Sequence, residues 1–180
     1  MTTHAPAVRL LVCGDRHRSD GGAAVWATGL LLPTLREQRG PRVEAVRCGH
    51  LDARQLLDLA GSSPLVILDV ADGVAPGEVV VRSLDELIDD PAGPAPRSAA
   101  GQPIDQLLGV VNVLADAPLE GYFVGLGGLE FGYGEDLSPP VGAHLDDYVA
   151  AIRTAIERLS DPTPRVSDRS TGVRGRLSAA

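Results

Sequence analysis

The sequence predicts an α/β fold: one domain of three layers, with helices on both faces of a mostly parallel, five-stranded sheet. Three observations carry this. Stretches of strand and helix character alternate along the chain, which puts the strands in a parallel sheet covered by helices. Residues 64–70, PLVILDV, are apolar apart from Asp69, as a central strand buried on both faces must be. The 180 residues are 44% hydrophobic, enough for a sizeable core, and with only 3% aromatics that core must be built from Val, Leu, Ile and Ala.

The elements follow in order. Residues 7–13, AVRLLVC, form a first strand that ends at Gly14. Residues 23–38 carry apolar positions at helical spacing (Val25, Leu32, Leu35), with Pro33 expected to kink or divide the helix. In 42–47, RVEAVR, apolar and polar residues alternate, so a half-buried strand is expected. A short helix over 51–61 has Gly61 as its C-terminal cap. The third strand is 64–70 and the fourth is 78–83, EVVVRS. The segment 85–103, rich in Pro, Gly and Ala, reads as an exposed loop. Pro103 opens a helix over 103–116, with Ile104, Leu107, Leu108, Val111 and Leu114 on one face. Residues 120–126, EGYFVGL, are the fifth strand. A last helix covers 138–159, with Ser138 as N-cap, Pro139 in its first turn and an apolar stripe from Val141 to Leu159. The domain is therefore expected over 1–159, with 160–180 a disordered tail that has little to pack.

Composition excludes several classes of function. A net charge of −8 argues against nucleic-acid or membrane-surface binding, since phosphate affinity comes mainly from Lys and Arg. No apolar run is long enough to span a membrane, and the first residues lack the pattern of a secretory signal. Cys13 and Cys48 are too few for a disulfide framework, so a cytoplasmic protein with reduced thiols is expected. The loop GDRHRSDGG matches neither common phosphate-binding glycine pattern. Neither a nucleophile elbow nor a His-Glu-x-x-His motif occurs.

In open parallel sheets, functional groups gather past the C-terminal ends of the strands. Asp69, at the end of the third strand, is the first candidate for a metal or catalytic ligand, because a carboxylate placed there is costly to bury without a partner. It could also serve only to cap its loop. Asp20, after the first strand, could hold a cation or cap the following helix. Asp72 is a weaker candidate, nearer the turn itself. Cys13, His17, Cys48 and His50 are a zinc set by residue type, although their spacing is not that of a common finger; otherwise they are buried thiols and polar loop histidines.

Four short motifs in order resemble those of the [NiFe] hydrogenase maturation endopeptidases, over residues 8 to 158 or so. They are GDRHRSDGGAA after the first strand, LVILDVADGVAPGEVVV across the third and fourth, SAAGQPIDQLL before a helix, and LSPPV opening the last helix. The resemblance implies an enzyme that removes a C-terminal peptide from the large-subunit precursor of a [NiFe] hydrogenase after nickel insertion. It implies no cofactor of the protein's own; the nickel comes with the substrate. The family contacts that nickel through an acid of the first motif, the strand-end Asp of the second and a His of the third. Asp69 matches the second. In a gapless match Asp20 falls on the first acid of a pair and Gly21 on the second, the usual ligand; a shift of one residue makes Asp20 the ligand. The His falls on Ala100, and His17 is the candidate substitute for the lost imidazole, which suits nickel better than carboxylates do. The resemblance thus implies Asp69 and Asp20 as catalytic, nickel-contacting residues and leaves the general base unnamed. The other reading is a non-catalytic relative that binds or chaperones a hydrogenase subunit.

Overall fold

A computed structural model describes residues 7–38, 40–49, 51–97 and 104–160. Strands β1 (Val8–Val12), β2 (Val43–Arg47), β3 (Leu65–Asp72), β4 (Val79–Ser83), β5 (Ala95–Pro96) and β6 (Gly121–Gly127) form one sheet. Its order is β2-β1-β3-β6-β4, with β5 pairing on β3. The β1–β2, β1–β3 and β3–β6 pairs are parallel; β4–β6 and β3–β5 are antiparallel. The helices are α1 (Ala23–Glu37), α2 (Ala53–Leu59), α3 (Leu84–Asp89), α4 (Ile104–Leu114), α5 (Pro139–Ala143) and α6 (Leu145–Ser160), and a 3-10 turn, Ser19–Gly22, leads into α1.

Strand periodicity divides the core into two layers. Val66, Leu68 and Val70 of β3 face α1 and α6, together with Leu10, Val124, Tyr148, Ile152 and Ile156. Leu65, Ile67 and Ala71 face α2, α3 and α4, with Leu11, Leu56, Leu87, Leu108 and Phe123. Successive strand side chains point to opposite faces, so a central strand must be apolar on both, as β3 is.

The sheet gains a sixth strand, because the expected loop 85–103 holds both α3 and the two-residue β5. The start of α3 is a capping box: Ser83 accepts from the Glu86 N–H, and the Glu86 carboxylate accepts from the Ser83 N–H. Pro33 does not divide α1, which is continuous. The carbonyl left without its helical donor is that of exposed Gly29, where water can replace the bond. Strand β2 is exposed along most of its length rather than half-buried, since it lies at the sheet edge. Leu114 is 64% exposed and so leaves the buried stripe of α4. The expected last helix is two, α5 and α6, parted at His144. Gly61 follows α2 with φ +68°, the left-handed stop expected there. Residues 161–180 and Pro103 lie outside the described residues.

Candidate functional site

β1 and β3 are neighbouring parallel strands, so their C-terminal ends lie side by side. Beyond the paired register, the Cys13 N–H donates to the Leu68 carbonyl and the Cys48 N–H to the Val12 carbonyl. These bonds extend the ladders by one residue and set Cys48, Cys13 and Asp69 in a row across β2, β1 and β3, with Gly125 of β6 opposite Asp69.

Asp69 lies inside β3, which continues to Asp72, rather than at a strand end. It is 2% exposed. By strand parity its side chain shares the face of Leu65, Ile67 and Ala71, where Cys13 and Cys48 also lie. One carboxylate oxygen accepts from the Val70 N–H at 2.7 Å. On the opposite face, the buried Tyr148 hydroxyl is 3.2 Å from the Asp69 carbonyl and 3.1 Å from that of Val124. Burial, and next the charge of Asp69, raise the Tyr148 phenol well above its ordinary value, so it stays protonated as a donor to the backbone that carries Asp69.

Asp20 is fully buried and belongs to a different arrangement. Its Oδ1 accepts from the Ser138 N–H at 2.7 Å. Its Oδ2 accepts from the N–H groups of Leu129 and Glu130, both at 2.8 Å, and from the Ser138 hydroxyl at 2.7 Å. Burial pulls its pKa upward, but the bonds from Glu130, Leu129 and Ser138 together outweigh that and hold the carboxyl below its ordinary value. The surrounding backbone is zipped to the same loop: Asp20 N–H to the Glu130 carbonyl, Ser19 N–H to the Gly134 carbonyl, and Gly134 N–H to the His17 carbonyl. Asp20 therefore clamps the first loop to 128–138. Ser138 does stand at the N-cap position of α5, but its hydroxyl serves Asp20 rather than the helix. Gly14 makes the loop's entry: its φ is +93°, and a Cβ there would lie 2.0 Å from the Gly21 carbonyl oxygen.

The other candidates are placed as follows. His17 is exposed, with Nδ1 3.0 Å from Glu135, and so is turned to the surface. Asp72 pairs with Arg97 at 2.8 Å, and the Arg97 guanidinium lies 3.7 Å from the centroid of the Phe131 ring. Cys13 and Cys48 meet, with their sulfurs 3.2 Å apart, while His50 and Ala100 lie outside the described residues. Among the described residues, no group of three or more His, Cys, Asp or Glu side chains could hold a metal ion. The sequence points to Ser138 only as a helix cap and assigns no role to 128–136; the segment 128–138 supplies the donors that fix the Asp20 carboxylate. Its glycine- and acid-rich stretch, GGLEFGYGED, is the signal it carried.

No protein-family model and no curated protein matches the chain. Solved structures do. The [NiFe] hydrogenase maturation protease HybD from Thermococcus kodakarensis superposes with TM-score 0.60 at 27% identity, covering 82% of this chain and 98% of its own. The hydrogenase maturating endopeptidase HybD from E. coli gives TM-score 0.64 at 20% identity, over 84% of this chain and 92% of its own. The protease HycI from Thermococcus kodakarensis KOD1 gives 0.54 at 15% identity, over 86% and 95%. The latter two identities bear on fold alone, whereas the first, over nearly the whole of that enzyme, also bears on kinship. The chain is a divergent relative of the [NiFe] hydrogenase maturation proteases.

Proposed function

We propose that the chain is a hydrogenase maturation endopeptidase, removing a C-terminal peptide from the large-subunit precursor of a [NiFe] hydrogenase once nickel is in place. The observation that carries this is Asp69: a buried carboxylate on the central strand, beside the first loop, in a fold shared with such proteases. Nickel enters as part of the substrate. The Asp69 carboxylate would supply one oxygen ligand, and the substrate's own donors the rest. The ion would then polarise the scissile carbonyl or fix a water for attack. A buried Asp69 also means that the substrate must displace neighbouring chain to reach it.

In this reading Asp20 does not contact the nickel directly. It positions the loop that lines the site, because four protein donors already occupy its oxygens. His17 as a replacement ligand would first have to leave Glu135. The absence of a membrane-crossing helix among the described residues fits a protein that meets a folded precursor in solution, and a cytoplasmic setting belongs to the same proposal.

A second reading has a specific observation in its favour. Gly21 stands at the position of the usual ligand acid, and Ala100 at that of the His, so the chain retains Asp69 but not a full ligand set. A binding protein for the same precursor would need no more. Incubating a nickel-loaded large-subunit precursor with the protein and recording its intact mass separates the two. Loss of a C-terminal peptide is expected. An intact precursor that still co-purifies with the protein would favour the binding reading, and neither cleavage nor association would overturn both.

A further inference from the structure

The two cysteines are 35 positions apart in sequence, yet their sulfurs lie 3.2 Å apart. The bond from the Cys48 N–H to the Val12 carbonyl makes Cys13 and Cys48 direct partners on adjacent strands. Neighbouring strands are about 4.8 Å apart. That separation falls in the window of about 4.4–6.8 Å between the Cα atoms of disulfide-bonded cysteines. The side chains already point toward each other, and closing the bond requires the sulfurs to approach by about 1.2 Å. Strand β2 lies at the sheet edge, pairs only with β1 in the strand order and is exposed along most of its length, so it can accommodate such a shift. Cys13 is fully buried and Cys48 is 6% exposed, which gives the pair an outer and an inner member.

We infer that Cys13 and Cys48 form a reversible redox site, oxidised by hydrogen peroxide to a disulfide that ties β2 to β1 in the row containing Asp69. Cys48 reacts first. The hydrogen bond from Cys13 favours its thiolate, against the opposing effects of burial and of the charges on Asp69 and Asp52. The Cys48 sulfur attacks one peroxide oxygen, the O–O bond breaks, and hydroxide leaves, to become water on protonation; Cys48 is now a sulfenic acid. The Cys13 sulfur then attacks Cys48 Sγ, the S–O bond breaks, and water leaves with the Cys13 proton. The two thiols lose two electrons together, and the peroxide is reduced to two waters. A thiol reductant reverses the step through a mixed disulfide.

This inference is independent of the proteolytic reading, since it needs only the two strands. The test exposes the full chain to hydrogen peroxide, quenches it, and records its non-reduced intact mass, with alkylation of remaining thiols after unfolding. Expected are a loss of about 2 Da and of both alkylatable thiols, restored by dithiothreitol, and a proteolytic peptide linking the segments around Cys13 and Cys48. Cys13→Ser should instead trap oxygen adducts on Cys48, and Cys48→Ser should leave Cys13 largely unreactive. The linked peptide from the wild-type chain decides the matter should either variant fail to fold. Two intact thiols after oxidation, sulfinic acid on Cys48 with Cys13 still reduced, or disulfide-linked dimers in place of the internal bond would each overturn the inference.

Discussion

Asp20 and Asp69 look alike in the sequence, each an acid beside the C-terminal end of a parallel strand, and both are buried. Their surroundings separate them. Asp20 accepts four hydrogen bonds from residues 109 to 118 positions away, and so ties two loops together. Asp69 accepts from its own neighbour's N–H and lies in a row with two thiols and a glycine. Burying a carboxylate is tolerable when donors replace water, so Asp20 is explained by structure alone. Asp69 lies instead within the buried central strand, in the row of the two thiols near the C-terminal ends of the strands, which is where functional groups gather in an open sheet. The comparison teaches that position after a strand identifies a buried acid, while four hydrogen bonds reaching across two loops mark Asp20 as a strut.

The largest expected effect breaks the comparison on the Asp69 side. Asp69→Ala should lower the rate of precursor cleavage by about a thousandfold or more, read by intact mass, while the circular dichroism spectrum stays that of the wild type. On the other side, Asp20→Ala leaves three N–H groups and a hydroxyl without their acceptor, those of Ser138 buried and those of Leu129 and Glu130 partly so. A loss of about 3–5 kcal/mol is expected, seen as a fall in the urea midpoint with little change of slope. Gly14→Ala should cost about 2 kcal/mol or more in the same assay, because its φ of +93° and the nearby Gly21 carbonyl exclude a Cβ.

A smaller effect sharpens the assignment of charge. The Asp20 pKa is lowered in the folded state, so the stability it contributes is present above the unfolded value near 3.8 and is lost as pH falls through the folded value. Acid unfolding of Asp20→Asn should therefore depend less steeply on pH below about 4 than that of the wild type, followed by fluorescence of Trp26. Smallest of all, Glu135→Gln should change stability by less than about 1 kcal/mol, since its contacts with His17 and Arg16 are exposed.

The legible part of the fold was the part governed by local pattern. The apolar run at 64–70 marked β3, the stripe through Tyr148, Ile152 and Ile156 marked α6, and the strand-helix alternation gave the layers. The helix α3 was missed although its signature was present, because the many prolines and glycines after it outweighed the Ser83–Glu86 capping pair in a reading by composition. The end of β3 lies two residues beyond the Val70 expected from the sequence. Seven register pairs with β6, running to Ala71, carry the strand past it. The clamp at Asp20 was beyond reading, since nothing near residue 20 reveals that Leu129, Glu130 and Ser138 will aim their donors at it. The meeting of Cys13 with Cys48 depended on register, which a one-residue slip would have destroyed.

The most direct test places Asp69→Asn and Asp20→Asn side by side, measuring cleavage of the nickel-loaded precursor and the urea midpoint of each variant. Cleavage lost with the midpoint preserved for Asp69→Asn, and the midpoint lowered with cleavage per folded molecule retained for Asp20→Asn, is the result predicted here. Full cleavage by folded Asp69→Asn would contradict the account.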